Sequence, residues 1–151
     1  MSGFRLEAVT ASTLPGWRQM RRALWPEMTE EENLRETQAM MMANSRFMVR
    51  MASSMEGKPA GFVEATLRKD YVNGCVTSPV VFLEGIYVEP WARRQEAARS
   101  LVEAVETWGR EQGCCEFASD ALLENSDSHS MHRALGFEEM ERVVYFRKSL
   151  S

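Results

Sequence analysis

The stretch Val80-Val81-Phe82-Leu83-Glu84-Gly85-Ile86-Tyr87-Val88 is the most apolar run of this 151-residue chain. It predicts a strand that is covered on both faces. Apolar residues then recur at helical spacing from Ala97 to Trp108, and Gly113 can end that helix. A short alternating run over 115–119 predicts the next strand. Strand, helix and strand form a βαβ unit, so the two strands should be parallel with a right-handed crossover.

The segments on either side of this unit predict further strands and helices. In chain order they are a strand over 4–9, a helix that starts near Pro15, a helix from Glu30 to Asn44, a hairpin near 47–51 and 62–67, a helix from Asn125 to Leu135 and a last strand over 143–146. The pattern Thr29-Glu30-Glu31-Glu32 has the form of a capping box. A chain of this length suits one domain, so we expect a single mixed α/β domain over residues 1–151.

Composition excludes several classes of function. The 18 Lys and Arg against 22 Asp and Glu give a net charge of −4, which argues against unaided nucleic-acid binding. No stretch approaches the roughly 20 apolar residues of a membrane span, and the first residues lack the pattern of a signal peptide. Cys114 and Cys115 are adjacent in a chain with three cysteines, which favours reduced thiols in the cytoplasm. Two histidines and no Cys-x-x-Cys predict no metal site.

Two carboxylates are candidates for chemistry. Glu84 lies inside the apolar strand, where an ionised carboxylate is costly unless it is paired, hydrogen-bonded or facing a wet cleft. The sequence leaves open whether it serves function or is the structural partner of a nearby arginine. Asp120 ends the next strand, and ligands bind at the carboxyl ends of parallel strands, so we expect both to line one cleft. Gly85 predicts a bulge or a close approach of a ligand to the backbone.

The turn between this strand and the long helix is a candidate anion site. It runs from Glu89 to Arg99 and holds three arginines close to a helix N-terminus. Free N–H groups and guanidinium groups together suit a pyrophosphate. Solvated surface arginines are the alternative interpretation.

The same turn also carries a resemblance to a known family. Val88-x-Pro90, Arg93, Ala98 and the segment Asn125-x-x-Ser128-x-x-Met131-His132-x-x-x-Gly136-Phe137 resemble the acetyl-CoA signature of the GNAT superfamily of N-acetyltransferases. Five further segments resemble the aminoglycoside 6′-N-acetyltransferases. They are Asp70-Tyr71-Val72-Asn73-Gly74, Phe82-Leu83-Glu84-Gly85, Phe117-Ala118-Ser119-Asp120, His129-x-x-His132-Arg133 and Val143-Val144-Tyr145-Phe146. The likeness spans residues 17 to 148.

The resemblance implies a fold and a site for acetyl-CoA. It implies a mixed, mostly antiparallel central sheet with a V-shaped cleft between the strands that end at Val88 and Asp120. Backbone groups of the first strand would hold the pantetheine arm and the thioester carbonyl, and the helix N-terminus would hold the pyrophosphate. The implied cofactor-binding residues are Ile86, Tyr87, Val88, Arg93, Arg94, Gln95, Glu96, Ala97, Ala98, Arg99 and Asn125.

The resemblance also implies the acceptor side of the site. The positions that match substrate residues are Trp25, Tyr71, Glu84, Asp120 and Glu141. A polycationic acceptor needs carboxylates, and aromatic faces can stack on sugar rings or cations. The alternatives are packing for the two aromatic residues, a turn cap for Asp120 and surface charge for Glu141.

Glu84, Asp120 and His132 are the implied catalytic residues. Glu84 would take the amine proton, directly or through water, while Asp120 holds a neighbouring ammonium group. His132 stands where many GNAT enzymes have a tyrosine thought to protonate the sulfur, and a packed histidine is the alternative.

Glu96 departs from the superfamily pattern, which usually has glycine there. A glutamate adds a side chain and a charge of the same sign as the phosphates, although it would stabilise the start of the helix. Glu96 is therefore the one feature that favours a non-catalytic acyl-CoA or small-molecule binding module. If it points outward, the cofactor site survives.

We expect an aminoglycoside 6′-N-acetyltransferase that uses direct attack and confers antibiotic resistance. No cysteine lies in an activated setting that would suggest a covalent intermediate. A polyamine or peptide N-acetyltransferase is the alternative within the enzyme class. Analogy with relatives predicts a homodimer without nucleic-acid or membrane partners.

Overall fold

A computed structural model describes residues 3–42 and 45–151. The described part contains five strands and four α-helices, and up to α4 they follow the mixed α/β order that the sequence predicts. In chain order they are β1 (Phe4–Glu7), α1 (Leu14–Leu24), α2 (Glu30–Met42), β2 (Phe47–Ser54), β3 (Pro59–Arg68), β4 (Val80–Val88), α3 (Ala97–Glu111), β5 (Phe117–Ala118) and α4 (Ser126–Ala134).

The strands form one sheet in the order β1-β2-β3-β4-β5. The first four strands are antiparallel to their neighbours, and β4 and β5 are parallel, which confirms the βαβ unit. β5 pairs with β4 at only two rungs, Val81–Phe117 and Phe82–Ala118. β4 continues to Val88, so beyond the second rung its edge is open among the described residues. This opening is the V-shaped cleft that the resemblance implies.

Helices cover both faces of the sheet. On one face, Leu101 and Val105 of α3 pack against Val81 and Leu83 of β4. On the other face, Trp17 of α1 packs against β2 and β3. Burial on both faces explains why the β4 sequence is nearly continuous in apolar residues instead of alternating.

A β-bulge in β4 places Glu84. Glu64 of β3 pairs with Gly85 and Ala65 pairs with Leu83, so Glu84 is the extra residue between the two rungs. A bulge re-aims side chains and reverses the alternation of the strand beyond it. Glu84 is thereby turned toward the side chains at the end of β3.

Local signals give the helix starts correctly, and several strand bounds differ from prediction: β5 covers only Phe117–Ala118 of the predicted 115–119, and β2 and β3 extend farther toward each other than predicted. The capping box is confirmed: the Glu32 N–H donates to Thr29 Oγ1 at 3.0 Å, and the Glu32 carboxylate accepts from the Thr29 hydroxyl at 2.9 Å. β1 ends at Glu7, two residues earlier than predicted. α2 is described to Met42, and the last two residues predicted for it, 43 and 44, lie outside the described residues.

The predicted last strand is wrong. Residues 138–151 form neither helix nor strand, and the side chains of Val144, Tyr145 and Phe146 are 75%, 81% and 92% exposed. The β-branched and aromatic residues of the segment favour a strand, but a strand also needs a hydrogen-bonding neighbour. None of the described strands of this chain pairs with it.

Candidate functional site

A cleft of about 660 Å³ opens between α1, α2 and the ends of β3 and β4. Its walls carry four carboxylates and three guanidinium groups. The carboxylates are Glu32, Glu36, Glu64 and Glu84, and the guanidinium groups are Arg21, Arg46 and Arg68. Trp25 lies in the same wall, so the structure brings together two of the predicted substrate residues, Trp25 and Glu84. An acidic cleft with an aromatic wall suits an acceptor that carries ammonium groups.

Glu84 has both of the roles that the sequence left open. Its Oε2 accepts a hydrogen bond from Thr66 Oγ1 at 2.6 Å and from Arg68 Nη2 at 2.9 Å, so it is the partner of an arginine. Its side chain is nevertheless 30% exposed and faces the cleft. Pairing offsets the cost of an ionised carboxylate in an apolar strand, and partial exposure leaves the carboxylate within reach of a ligand.

Gly85 makes room for Trp25. A Cβ atom at Gly85 would lie 2.6 Å from the Trp25 ring, closer than side chains tolerate. The ring also packs against Phe62, at 6.2 Å between centroids, and the Arg21 guanidinium lies 5.0 Å from its centroid. Gly85 therefore accommodates a side chain of the cleft wall, and it forms part of the bulge that the sequence predicts.

A buried ion pair that sequence reasoning missed lies at the base of the cleft. Arg21 Nε lies 3.0 Å from Glu64 Oε2, but its N–H does not point at the oxygen, so the contact is ionic and not a hydrogen bond. Trp17 Nε1 donates to the same oxygen at 2.9 Å. Burial raises the pKa of Glu64 to about 7, although Arg21 and the Trp17 bond oppose the shift. Its signal was available, because Glu64 is a charged residue inside an apolar run, as Glu84 is.

Asp120 lies just beyond β5, at the position that corresponds to Glu84 on β4. Each lies two residues beyond the last rung, Phe82–Ala118, where the strands part. Asp120 is exposed and does not line the cleft around Glu84. The two carboxylates therefore flank the opening between the strands.

The sequence places Tyr71 and Glu141 in the same site as Glu84, but in the structure they lie outside the cleft that contains Glu84. Both are exposed, and neither lines the cleft. Their segments do meet, because a Cβ atom at Gly74 would lie 2.8 Å from the Met140 side chain. The structure thus brings the loop that carries Tyr71 against the segment that carries Glu141.

The N-terminus of α3 has the features of an anion site. The first N–H groups of a helix have no partner within it, and the side chain of the N-cap residue Glu96 does not bond to them. Arg94 and Glu96 have positive φ angles of 63° and 71°. The Arg93 Nε donates to the Val88 carbonyl at 2.9 Å, which fastens the turn to the end of β4. The open edge of β4 thus leads directly to uncapped backbone donors.

Glu96 is the N-cap residue of α3, and its backbone adds a cost that the sequence does not reveal. Glu96 precedes the helix and has left-handed backbone angles, which cost a residue with a side chain about 1–2 kcal/mol. Its carboxylate lies 3.0 Å from Arg99 Nε and neutralises an arginine that could face a phosphate. Glycine, usual at this position in the superfamily, adopts such angles freely.

His132 and Asn125 link α4 to its surroundings. His132 Nδ1 lies 2.7 Å from the Ser128 carbonyl oxygen, which can only accept, so Nδ1 carries the proton of the neutral ring. Its Nε2 lies 2.7 Å from the hydroxyl of Ser119, the residue before Asp120. These contacts match the interpretation of His132 as a packed histidine, and its role as a general acid stays a prediction. Asn125 caps α4 by accepting from the Ser128 N–H at 3.1 Å.

Comparison with known proteins agrees with this geometry. Residues 14–137 match the model of the acetyltransferase (GNAT) family. This chain belongs to that family.

This chain is also similar to individual members of the GNAT family over nearly its whole length. It is 46% identical over 142 residues to an aminoglycoside N(6′)-acetyltransferase type 1 of Acinetobacter genomosp. 13, covering 94% of this chain and 96% of that protein. The corresponding protein of Serratia marcescens is 46% identical over 137 residues, covering 91% and 93%. The structure of AAC(6′)-Iy in complex with the bisubstrate analogue CoA-S-monomethyl-acetylneamine has a TM-score of 0.91, 41% identity and coverage of 98% and 99%.

Two classes of feature are absent from residues 3–42 and 45–151 of this GNAT chain. No three His, Cys, Asp or Glu side chains there are grouped so that they could hold a metal ion. None of the helices there is long and apolar enough to cross a membrane.

Replacing Glu96 with glycine should strengthen acetyl-CoA binding and stabilise the free protein. The substitution relieves the left-handed strain, by about 1 kcal/mol, and releases Arg99 from its ion pair. Calorimetric titration with acetyl-CoA and thermal melts of the free forms measure both effects. Glu103→Gln, on the exposed side of α3, is the control for loss of a carboxylate. A lower melting temperature in the glycine variant would contradict the strain argument.

Proposed function

We propose that this protein is an aminoglycoside 6′-N-acetyltransferase that moves the acetyl group of acetyl-CoA to the 6′-amine of the antibiotic and so confers resistance. The observation that carries the proposal is the meeting of two sites at Glu84. An acidic, tryptophan-walled cleft lies on one side, and the open edge of β4 that leads to the uncapped α3 lies on the other. Relatives that share about 45% of their residues with this chain bear that name.

The residues present fit acetyl-CoA. Backbone groups of β4 from Ile86 to Val88 lie on the open edge and can hydrogen-bond the pantetheine arm and the thioester carbonyl. The N–H groups at the start of α3, with nearby arginines, can hold the pyrophosphate. Acetyl-CoA supplies the activated acetyl group, and the protein supplies its orientation and the acceptor.

The reaction is proposed to be a direct attack. The neutral amine nitrogen forms a bond to the thioester carbonyl carbon and the carbon–sulfur bond breaks. Glu84 takes the proton that the amine loses, directly or through water, and the departing thiolate of coenzyme A ends with a proton, so the products are the amide and the free thiol. A covalent intermediate on cysteine would need a thiolate. Burial raises the pKa of both Cys75 and Cys114, so these thiols remain protonated, and neither lines the cleft.

The acceptor is proposed to bind through its ammonium groups. Glu84 orients the reacting amine, and Trp25 provides an aromatic face beside it. Asp120 receives a neighbouring ammonium group across the opening between β4 and β5. Tyr71 and Glu141, whose segments meet at Gly74 and Met140, bind the outer part of the acceptor.

Release of the coenzyme A thiol tests the function. Acetyl-CoA is mixed with the protein and with a kanamycin-like aminoglycoside, a gentamicin-like aminoglycoside or a linear polyamine. We expect thiol release with the aminoglycosides and little with the polyamine, which lacks sugar rings to pack on Trp25. Acetyl-CoA binding without thiol release for any acceptor would instead support the binding module, and equal rates with the polyamine would support a general polycation acetyltransferase.

Replacing Asp120 with alanine should weaken use of the aminoglycoside more than binding of acetyl-CoA. The variant loses a charge-assisted contact to an ammonium group at an exposed position, so we expect kcat/KM for the acceptor to fall about tenfold. Steady-state kinetics with each substrate varied in turn checks this. Asp127→Ala, on the exposed first turn of α4, is the control. Unchanged acceptor kinetics would remove Asp120 from the site.

We also propose that the protein is a cytoplasmic homodimer in which residues 143–146 pair with the second copy. The segment has a strand pattern and exposed aromatic side chains, and β5 leaves an edge of the sheet open among the described strands. An exposed apolar segment with high strand propensity can pair with an open strand edge of another chain. The three free cysteines and the use of acetyl-CoA fit the cytoplasm.

Light scattering on a sizing column tests the dimer. The unmodified protein should elute at twice the mass of one chain, and Phe146→Glu should shift it toward one chain because the charge cannot be buried at the contact. Met55→Glu places the same change on an exposed turn far along the chain and should leave the mass unchanged. A single-chain mass for the unmodified protein would overturn the proposal.

A further inference from the structure

A positive charge in a site for a polycation needs an explanation. Arg68 ends β3 and lies in the wall of the cleft beside Glu84, and its side chain is 42% exposed. It repels the ammonium groups of the proposed acceptor and occupies the carboxylate that should receive them. Either the acceptor displaces it, or it stays in place and serves the reaction.

The contacts of Arg68 favour its staying in place. Its Nε and Nη2 reach Glu84 Oε2 at 3.2 and 2.9 Å, and Nη2 also reaches Oε1 at 3.1 Å. Its guanidinium lies 3.5 Å from the centroid of the Phe82 ring, a close cation–π contact. Forked pairing with a carboxylate fixes both groups in one geometry, which a single-point contact would not do.

The same contacts make the two oxygens of Glu84 unequal. Oε2 accepts from Thr66 Oγ1 and from both Arg68 nitrogens, so its capacity is filled. Among the residues that the structure describes, only Arg68 donates to Oε1, through its Nη2. A carboxylate oxygen has two lone pairs, so Oε1 has one left for a further donor.

We propose that Arg68 is a positioning residue: seated on Phe82, it holds the Glu84 carboxylate so that the remaining lone pair of Oε1 receives the acceptor amine. The inference rests on the proposed function and deepens it. Arg68 acts through Glu84 and makes no contact with the acceptor of its own. Its fixed positive charge near the reacting nitrogen also favours the neutral amine, the form that attacks the thioester.

Steady-state kinetics of Arg68→Gln tests the inference. We expect kcat/KM for the aminoglycoside to fall about 10- to 100-fold, as for a misplaced reacting group, with KM for acetyl-CoA unchanged. Arg50→Gln is the matched control, because Arg50 lies on β2, donates to the Val49 carbonyl and does not line the cleft. It should keep the unmodified kinetics. A fall in acceptor KM in Arg68→Gln would show a competing cation and overturn the inference, as would unchanged rates.

A double variant separates positioning from an independent role. In a protein that already carries Glu84→Gln, Arg68→Gln should cause little further loss, because Arg68 acts through the missing carboxylate. If the losses of the two single variants multiply in the double variant, the inference is overturned.

If Arg68→Gln fails to fold, a conservative variant still tests the inference. Arg68→Lys keeps the charge over Phe82 but not the forked contact, so its kcat/KM should lie between those of the unmodified protein and Arg68→Gln, and unmodified rates would overturn the inference. Absence of thiol release by the unmodified protein with every aminoglycoside would overturn the proposed function and this inference with it. Normal thiol release that is unaffected by the Arg68 substitutions would overturn only the inference.

Discussion

The free energy of unfolding should fall by on the order of 3 kcal/mol as the pH rises from about 5 to about 8, because of Glu64. Burial raises the pKa of Glu64 from 4.5 in the unfolded chain to about 7 in the fold. Between these two values the folded protein holds a proton that the unfolded chain has released. Raising the pH through this window therefore weakens the fold, and above about pH 7 the contribution levels off.

Glu64→Gln removes the titration while keeping an oxygen that can accept from Trp17 Nε1. Urea unfolding at a series of pH values should give a clear slope for the unmodified protein and a flatter one for the variant. All other ionisable groups are the same in both proteins, so they cancel from the comparison.

Glu116→Gln is the control for the Glu64 experiment. Bonds from Thr77 and from the N–H of Val76 lower the pKa of Glu116, so its contribution to stability is lost only as the pH falls below the window. This variant should therefore keep the slope of the unmodified protein between about pH 5 and pH 8. Parallel slopes for Glu64→Gln and the unmodified protein would show that Glu64 is ionised in the fold throughout.

Glu84→Gln should lower acceptor kcat/KM by a factor of about 10 to 150, the equivalent of about 1.5 to 3 kcal/mol for a lost charge-assisted bond. The amide has nearly the same size, so β4 and its bulge should remain. It loses the negative charge that pairs with Arg68 and with the acceptor amine.

The measurement is thiol release with acceptor and acetyl-CoA varied in turn. KM for acetyl-CoA should change little, because the backbone groups of β4 and α3 that hold the cofactor are untouched. Glu103→Gln, on the exposed side of α3, is the control variant. Wild-type rates in Glu84→Gln would leave Glu84 as a structural partner of Arg68 only.

Features that depend on neighbours in sequence could be predicted well. The capping box at Thr29, the hairpin of β2 and β3, and the crossover from β4 through α3 to β5 follow from spacing, turn residues and the right-handed rule. The last strand could not be predicted in the same way. Its high strand propensity is a property of residues 143–146, whereas its pairing depends on a strand elsewhere.

The residues of the site also fall into those that the sequence reveals and those that only the packing of the chain reveals. Glu84 stands out because a carboxylate in an apolar strand is costly, and its alignment with Asp120 follows from parallel strands. Glu64 carries the same signal, but its burial beneath α1 and its pairing with Arg21 arise only when helix and sheet pack together.

The sequence by itself determined the order of elements up to α4, the parallel strand pair and the identity of the carboxylates beyond its last rung. It did so because hydrophobic periodicity, caps and turns report on local geometry. The tertiary structure alone decided that a bulge turns Glu84 onto Arg68, that Gly85 seats Trp25, and that Glu96 stands in a left-handed conformation before α3. Each of these depends on register or on contacts between residues far apart in the chain, and such pairing free energies leave no periodic trace in the sequence.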